Sequence, residues 1–469
     1  MLAFFAQSYY SIAMKSASQL KKFFLLAGDI AVLYLSLYLT LLLRYQTPPN
    51  ATLWQSHFSL FTAVFAGWLI VFYISNLYDL RLAVNNARFW QLFGKGLLAA
   101  ALLAVAFFYF LPQNNITPKT NLAIYLAVFA VLFALWRQFY NWSLEAYLPK
   151  NYLAIIGFDQ QVKELVKELK ERASLGYRAA FIIGSASAGQ TEFLGTPIES
   201  DFSRLAELIR EKRITTIVLS SDPHESAELR NSLFACLPLS VNFIRLPLFY
   251  ENLTGRVPVS DINQMWVLEN LSEGGKIFFD LAKRALDFLS AFIFFVATLP
   301  FWLIIALIVK LESRGPVFFV HTRLGKNGIP FRLYKFRTMR EEGNDRSPTA
   351  AQDKRITGFG SFLRKTRIDE IPQVLNIMRG EMSFVGPRPE RPELVAELER
   401  QIPFYRERML VKPGVTGSDQ VSGEYHSPSY EDTIKKLQYD LFYIKNRSFY
   451  LDLSIILKTI YTVLSRGGI

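Results

Sequence analysis

The sequence predicts a membrane α plus α/β protein in three parts. A four-helix transmembrane N-terminal domain is expected over 1–145, a Rossmann-like parallel-sheet middle domain over 146–270, and a mainly α domain with a re-entrant membrane helix over 271–469. Three observations carry this expectation. Four long apolar runs fill the first 140 residues. From Tyr152 onward, short apolar runs alternate with charged amphipathic stretches. Around Pro300 a fifth apolar run is flanked by cations at both ends.

Composition narrows the function classes. The chain has 469 residues, 51% of them hydrophobic, with 40 Phe and 22 Tyr. That argues against disorder and against a purely soluble enzyme. The formal net charge is +12, from 52 Lys+Arg against 40 Asp+Glu. Such a chain favours anionic lipid and phosphate partners ahead of nucleic acid. Cys236 is the single cysteine, which excludes an intramolecular disulfide. His57, His224, His321 and His426 lie far apart with no ligand spacing, which argues against a zinc enzyme.

The apolar runs lie near Phe23–Leu43, Phe58–Leu77, Leu97–Leu111 and Leu122–Trp136. A helix needs about 20 apolar residues to cross the hydrocarbon. The third run qualifies if Gly94–Gly96 and Pro112 sit at its ends. The first is too long, and lacks a cleavage signature, to be a removed signal peptide. Lys15, Lys21 and Lys22 precede the first run, Arg81, Arg88 and Lys95 separate the second from the third, and Arg137 and Lys150 follow the fourth. The other side carries Arg44 and Lys119. This asymmetry places the N-terminus in the cytoplasm and returns the chain there. Asp29, inside the first run, is costly in lipid and reads as a polar contact between helices.

In the middle part, Tyr152–Ile156, Ala179–Ile183, Thr215–Leu219 and Val241–Leu246 read as strands. Gln161–Arg172, Leu205–Lys212 and Glu225–Phe234 read as helices between them, and the alternation suggests a parallel sheet. After Gly157 come Phe158, Asp159 and Gln160, so the second and third glycines of the dinucleotide fingerprint are missing. A structural or regulatory module is the expectation there.

Phe288–Val309 has the length of a membrane span, but Pro300 at its centre removes a hydrogen bond and kinks a helix. Lys283 and Arg284 precede it, and Lys310 and Arg314 follow. Cations at both ends favour both ends on the inner face, hence a helix broken at Pro300 that dips in and returns.

Beyond Gly315 three basic clusters follow closely: Arg332–Met339, Arg364–Gln373 and Gly380–Pro389. They surround one adjacent carboxylate pair, Asp369-Glu370. If Asp369 caps a helix, Pro372 falls in its first turn, where proline is tolerated. Open N–H groups there favour a phosphate. One carboxylate could attack phosphorus while the other holds Mg²⁺ against a diphosphate, with Arg364, Arg367 and Arg388 neutralising the oxygens. No Walker A pattern occurs.

From Lys276 onward the chain resembles the bacterial sugar transferase family, the monotopic polyprenyl-phosphate hexose-1-phosphate transferases. The resemblance rests on Gly315-Pro316-Val317-Phe318-Phe319, Arg323-Leu324-Gly325, Tyr334–Met339, Asp369-Glu370-Ile371-Pro372-Gln373, Gly380–Pro389, Lys412–Gly417, Asp440–Ser448 and Leu451-Asp452-Leu453. The three-part architecture is similar to the family's long members. The resemblance implies a phosphoglycosyl transferase working by a two-step exchange. Asp369 would attack the sugar-bearing phosphorus of a UDP-sugar and release UMP. Undecaprenyl phosphate would then take up the sugar-1-phosphate, the first step of exopolysaccharide, capsule or O-antigen synthesis. Glu370, with Asp369, would hold Mg²⁺. Lys335, Arg364 and Arg388 match family cations and, with Arg337 and Arg367, make up the expected substrate-binding set. Pro300, with Lys283 and Arg284 ahead of it, matches the re-entrant break. The expected setting is the bacterial inner membrane, with the catalytic domain on its cytoplasmic face. Membrane lipid surrounds it, and a homodimer is compatible with the long members. Ser418-Asp419 and Gly423-Glu424-Tyr425-His426 depart from the family pattern, which leaves the donor sugar open. The alternative reading is a non-catalytic membrane scaffold for polysaccharide assembly.

Overall fold

A computed structural model describes residues 2–80, 85–110, 118–147, 151–171, 176–184, 190–220, 226–272, 274–340, 353, 355–423 and 429–464. Arg81, Pro112, Lys150, His224 and Glu424-Tyr425-His426, all used above, lie outside them. The chain divides into two compact units, Met1–Thr254 and Gly255–Ile469.

The first unit opens with four long helices, α1 (Leu2–Tyr45), α2 (Ala51–Ile74), α3 (Ala87–Phe110) and α4 (Pro118–Tyr147). Each contains a stretch long and apolar enough to cross a membrane. Asn50 starts α2 by accepting a hydrogen bond from the Leu53 N–H at 2.8 Å. The bundle interior is aromatic: Trp68, Tyr125, Phe129 and Phe72 are buried, and Phe93 stacks on Phe133 with ring centroids 4.3 Å apart. That packing explains one departure from expectation. Gly94 and Gly96 lie inside α3 rather than at its end, because Phe89 and Phe93 bury their rings and carry the helix through the weak glycine positions. Outward positions such as Leu98 and Leu102 are apolar as well, as a helix facing lipid requires. Asp29 finds its partner on α4: Arg137 reaches its carboxylate at 2.7 Å and Trp136 donates to it at 3.0 Å.

The rest of this unit is a doubly wound α/β layer structure. In chain order it holds β1 (Asn151–Ile156), α5 (Gln160–Glu171), β2 (Tyr177–Ile183), β3 (Glu192–Phe193), β4 (Thr196–Glu199), α6 (Leu205–Glu211), β5 (Thr216–Leu219), α7 (Ala227–Cys236), β6 (Asn242–Arg245) and α8 (Leu246–Thr254). The sheet order is β3-β4-β2-β1-β5-β6, parallel except for the β3–β4 pair. The period-2 rule sorts β1 onto two faces. Leu153 and Ile155 pack with Val162, Leu165 and Phe249, while Ala154 and Ile156 pack with Leu205, Leu229 and Leu233. Strands β3 and β4 are additions to the expected set, too short and too polar to stand out as apolar runs.

The second unit holds α9 (Gln264–Asn270), α10 (Ile277–Glu312), β7 (Phe318–Leu324), β8 (Pro330–Phe336), α11 (Gly358–Thr366), α12 (Val374–Arg379), β9 (Ser383–Val385), α13 (Pro392–Gln401), β10 (Gly414–Thr416), α14 (Tyr430–Asn446) and α15 (Phe449–Leu464). Strands β7 and β8 form an antiparallel hairpin, and β9 pairs parallel with β10. The basic cluster at 332–339 is therefore largely a strand. Phe331 and Leu333 point inward while Arg332 points out, an alternation hidden by the density of charge. Helix α10 has 36 residues and contains Pro300 without interruption, where a break was expected. Nearby, Thr298 donates its hydroxyl to the Phe294 carbonyl at 2.8 Å, and Trp302 donates to that hydroxyl at 3.2 Å. Such local side-chain bonds help an apolar helix tolerate a proline. Ala291, Trp302, Ile305 and Val309 on α10 are buried against Phe331, Phe336, Leu363 and Ile377, while Phe292, Phe301 and Leu307 on other faces are exposed.

Candidate active site

The carboxylate pair sits in a 3₁₀ turn, Ile368–Gln373, between α11 and α12. Asp369 is not the helix cap expected from sequence. Arg367 occupies that position in the left-handed region (φ 58°), and Asp369 falls in the first turn. Pro372 lies inside the turn, just before α12 begins at Val374. The β8 strand runs beside it. Asn376, fully buried on α12, donates to the Arg332 carbonyl at 2.6 Å and accepts the Tyr334 N–H at 3.2 Å. This clamp fixes the strand and so aims Lys335 at the pair.

The two carboxylates have unequal surroundings. Lys335 Nζ lies 2.7 Å from Glu370 Oε1, and Arg388 Nη2 lies 3.3 Å from the same oxygen. Burial pushes the Glu370 carboxyl up, but the Arg388 and Lys335 cations and the Lys335 hydrogen bond overcome it and hold it at about 2. Asp369 is buried, and among the described residues its Oδ1 has no hydrogen-bond partner. Burial foremost, then the Glu370 charge, raises the Asp369 carboxyl above its ordinary value against the pull of Lys335, Arg367 and Arg364. Neighbouring carboxylates with acidities pushed apart are a recurrent sign of divided chemical roles.

Of the expected residues, Lys335 and Arg388 touch Glu370, and Arg364 and Arg367 act on Asp369 by charge. Arg364 is held by Thr338, whose hydroxyl accepts its Nε–H at 2.8 Å. Arg337 is not brought to the pair. It is buried and donates to the Ser313 carbonyl at 2.7 Å, anchoring the end of β8 to the end of α10. Lys283 pairs with Asp452 on α15 at 2.5 Å, and Arg284 donates to the last carbonyls of α12, Ile377 at 2.5 Å and Met378 at 2.7 Å.

Two features behind Arg388 escaped the sequence reading. Arg408, on the 3₁₀ turn Tyr405–Leu410, donates to the Arg388 carbonyl at 3.1 Å and pairs with buried Asp440 at 2.8 Å, while Tyr405 accepts from it at 2.6 Å. The only trace in sequence is an aspartate set among the apolar residues of α14. Burial already pushes the Asp440 carboxyl up to about 7 against the pull of Arg408, so replacing Arg408 by Gln raises it further and leaves it buried without its ion-pair partner. A loss of about 3–5 kcal/mol is expected, read as a lower thermal midpoint of the detergent-solubilised protein. The second feature explains the glycines of the 386–389 and 412–417 motifs. Gly386 N–H donates to the Thr416 carbonyl and Gly414 N–H to the Pro387 carbonyl, both at 2.9 Å. A Cβ on Gly414 would stand 2.1 Å from the Gly386 nitrogen, and one on Gly386 2.4 Å from the Lys412 carbonyl oxygen. Gly414→Ala is expected to cost roughly 1–3 kcal/mol or more by forcing the two backbones apart. It should weaken activity too, since Arg388 rides on one of them; thermal melting and transfer assays check this together.

Comparison with known proteins now bears on this geometry. The bacterial sugar transferase family matches residues 278–466. The glucose-1-phosphate transferase of Caulobacter vibrioides that uses UDP-glucose and undecaprenyl phosphate is 38% identical over 211 residues, 44% of this chain and 79% of that protein. The chain belongs to the bacterial sugar transferase family. The chain matches two further relatives over little more than half their length. The UDP-N-acetylgalactosamine-undecaprenyl-phosphate N-acetylgalactosaminephosphotransferase of Aeromonas hydrophila is 37% identical over 53% of this chain and 58% of its own length. The UDP-glucose:undecaprenyl-phosphate glucose-1-phosphate transferase of Xanthomonas campestris is 34% identical over 58% of this chain and 57% of its own.

A second family, described as a CoA-binding domain, matches residues 73–247. The phosphate seat of such a fold is the N-terminus of the helix after the first strand. Here Asp159 fills it. One carboxylate oxygen accepts the Val162 N–H at 2.8 Å and the other bonds the Ser220 hydroxyl. A pyrophosphate at this position meets a carboxylate rather than open N–H groups, so these residues do not fit coenzyme A there.

Cation binding is a different matter. Among the described residues no group of three His, Cys, Asp or Glu is gathered. Mg²⁺ is commonly held by one or two carboxylates plus substrate phosphates and water. Asp369 and Glu370, with a buried unpartnered oxygen on Asp369, fit that mode.

Proposed function

We propose that this sugar transferase moves a hexose-1-phosphate from a UDP-sugar to undecaprenyl phosphate. UMP is released, and the undecaprenyl-diphosphate sugar that forms initiates an exopolysaccharide, capsule or O-antigen. The observation that carries the reading is the unequal carboxylate pair. Asp369 has raised basicity and an oxygen without a partner, whereas Glu370 is tied down by Lys335 and Arg388. In the first step an Asp369 oxygen bonds to the sugar-bearing phosphorus, and the bond from that phosphorus to the bridging oxygen breaks, so UMP departs with its electron pair. In the second, an oxygen of undecaprenyl phosphate attacks the same phosphorus, the bond to Asp369 breaks and the carboxylate returns. Arg364, Arg367 and Arg388 face the charge of the transferring phosphoryl group. Glu370 and Asp369 would hold Mg²⁺, which would supply neutralisation of charge on the diphosphate.

The lipid substrate sets the location. Four apolar helices anchor the chain, and a net charge of +12 suits the cytoplasmic face of the bacterial inner membrane. Helix α10 is read as re-entrant. Arg284 near its start and Glu312 at its end both bond to elements of the same catalytic unit, and Ala291, Trp302, Ile305 and Val309 between them are buried against that unit. A helix crossing to the far side would carry one end away.

The test is product formation. Full-length protein in nanodiscs is incubated with Mg²⁺, undecaprenyl phosphate and a panel of labelled UDP-hexoses and UDP-N-acetylhexosamines, because the relatives differ in their sugar. Label in the lipid phase with one donor supports the proposal and names the sugar. No transfer from any donor by folded protein overturns it in favour of a scaffold role.

A further inference from the structure

The first turn of α11 is held from two sides. The leading N–H groups of a helix have no intrahelical partner. Here the Gly360 N–H donates to the hydroxyl of its own N-cap residue, Thr357, at 3.0 Å. The Phe359 N–H donates instead to Glu312, with its two carboxylate oxygens at 3.0 and 3.2 Å. Glu312 is the last residue of α10. Its charge also complements the positive end of the helix dipole. The capping residue is itself fixed, because Val309 and Ile305, one and two turns earlier, are buried in the cluster that contains Leu363 of α11.

What α11 carries gives this cap its consequence. Arg364 lies in its last turn, bonded to Thr338 and acting on Asp369. After Thr366 the chain passes through Arg367 directly into the carboxylate turn. A shift of α11 along its axis moves Arg364 relative to Asp369, because the carboxylate turn is held separately where it runs into α12 and where Lys335 pairs with Glu370. A misplacement of about 1 Å in a reacting group can cost roughly 10²-fold in rate.

We propose that Glu312 is a positioning residue for the transfer reaction: by capping α11 from the end of the membrane helix, it sets where the Arg364 guanidinium stands relative to Asp369. The inference rests on the reading of Asp369 as the reacting carboxylate. It adds that a side chain outside the basic clusters links the membrane helix to the helix that leads into the reacting turn.

A double-mutant cycle in full-length protein tests it, with kcat and donor KM measured for the active UDP-sugar. Glu312→Met, which keeps the stem and removes the acceptor, is expected to lower kcat roughly 10-fold with donor KM within about twofold. Glu312→Gln, which keeps one acceptor oxygen, should stay within about threefold of the parent. In an Arg364→Ala background, Glu312→Met should cost less than about twofold, because the group it positions is gone. Equal costs in both backgrounds, or no cost in the parent, overturn the inference. Amide exchange across residues 358–363 should speed up in Glu312→Met and not in Glu312→Gln; unchanged exchange in both overturns it as well. An active Asp369→Asn control would instead overturn the reading of the reaction, so the two failures are distinguishable.

Discussion

Asp369→Asn is expected to lose roughly 10³-fold or more of transfer activity while remaining as stable as the parent or becoming more so. The first half follows from the proposed role of Asp369 as nucleophile. A neutral amide is too weak a nucleophile to form the acyl phosphate that the proposed two-step reaction requires, and losses of roughly 10³- to 10⁶-fold are typical when a nucleophile is removed. The second half follows from the carboxyl's acidity. Burial, and then Glu370, raise Asp369 above its unfolded value, so the folded state disfavours the charged form. Above the unfolded value of about 3.9, the ionised side chain therefore costs stability, and a neutral isostere removes that cost. Thermal melting beside the lipid-extraction assay checks both halves. A variant that is inactive because it is unfolded would contradict this account, and so would one with full activity.

Lys335→Met is expected to lose roughly 10²-fold at neutral pH and to move the acid limb of the pH–rate profile upward. Lys335 pulls both carboxyls down, by charge at Asp369 and by charge plus a hydrogen bond at Glu370. Removing it lets both rise, so Asp369 becomes protonated at a higher pH than in the parent and activity fades sooner on acidification. The same change shows in stability. Glu370, held at about 2 in the folded chain against about 4.3 unfolded, contributes stability that is complete above the unfolded value. That contribution is lost as pH falls through the folded value. Without Lys335 the folded value rises, so the contribution shrinks and disappears at a higher pH. An acid limb that stays in place, or moves down, would contradict the assigned contact. Measuring pH–rate and pH–melting curves on one preparation separates the chemical effect from the stability effect.

The sequence by itself determined the broad plan, because the signals for it are local. Runs of about 20 apolar residues mark helices fit for lipid wherever they fall. The alternation at Tyr152–Ile156 and the charged helix after it mark an α/β layer, and each residue's face follows from its parity. The carboxylate pair was legible for a similar reason: cations and turn residues are dense around one short segment. What charge density concealed was the strand at Pro330–Phe336, whose alternation of Phe331 and Leu333 with Arg332 looks like a solvated basic face until the partner strand is in place.

Only the tertiary structure decided how the cations are shared out. Arg337 and Lys335 stand two residues apart on one strand run, yet one anchors the end of the membrane helix and the other reaches Glu370. Nothing in their spacing ranks them, since the choice depends on Asn376 clamping the strand from another helix. The inequality of Asp369 and Glu370 is likewise absent from the sequence. It arises because burial falls on both neighbours while Lys335 and Arg388, the latter placed by the Gly386–Gly414 contact and by Arg408, pair directly with Glu370. Apolar runs and strand parity are written in neighbouring residues and survive without the fold. Acidity and charge pairing depend on which distant groups approach within a few ångströms, and that is fixed only when the chain is packed.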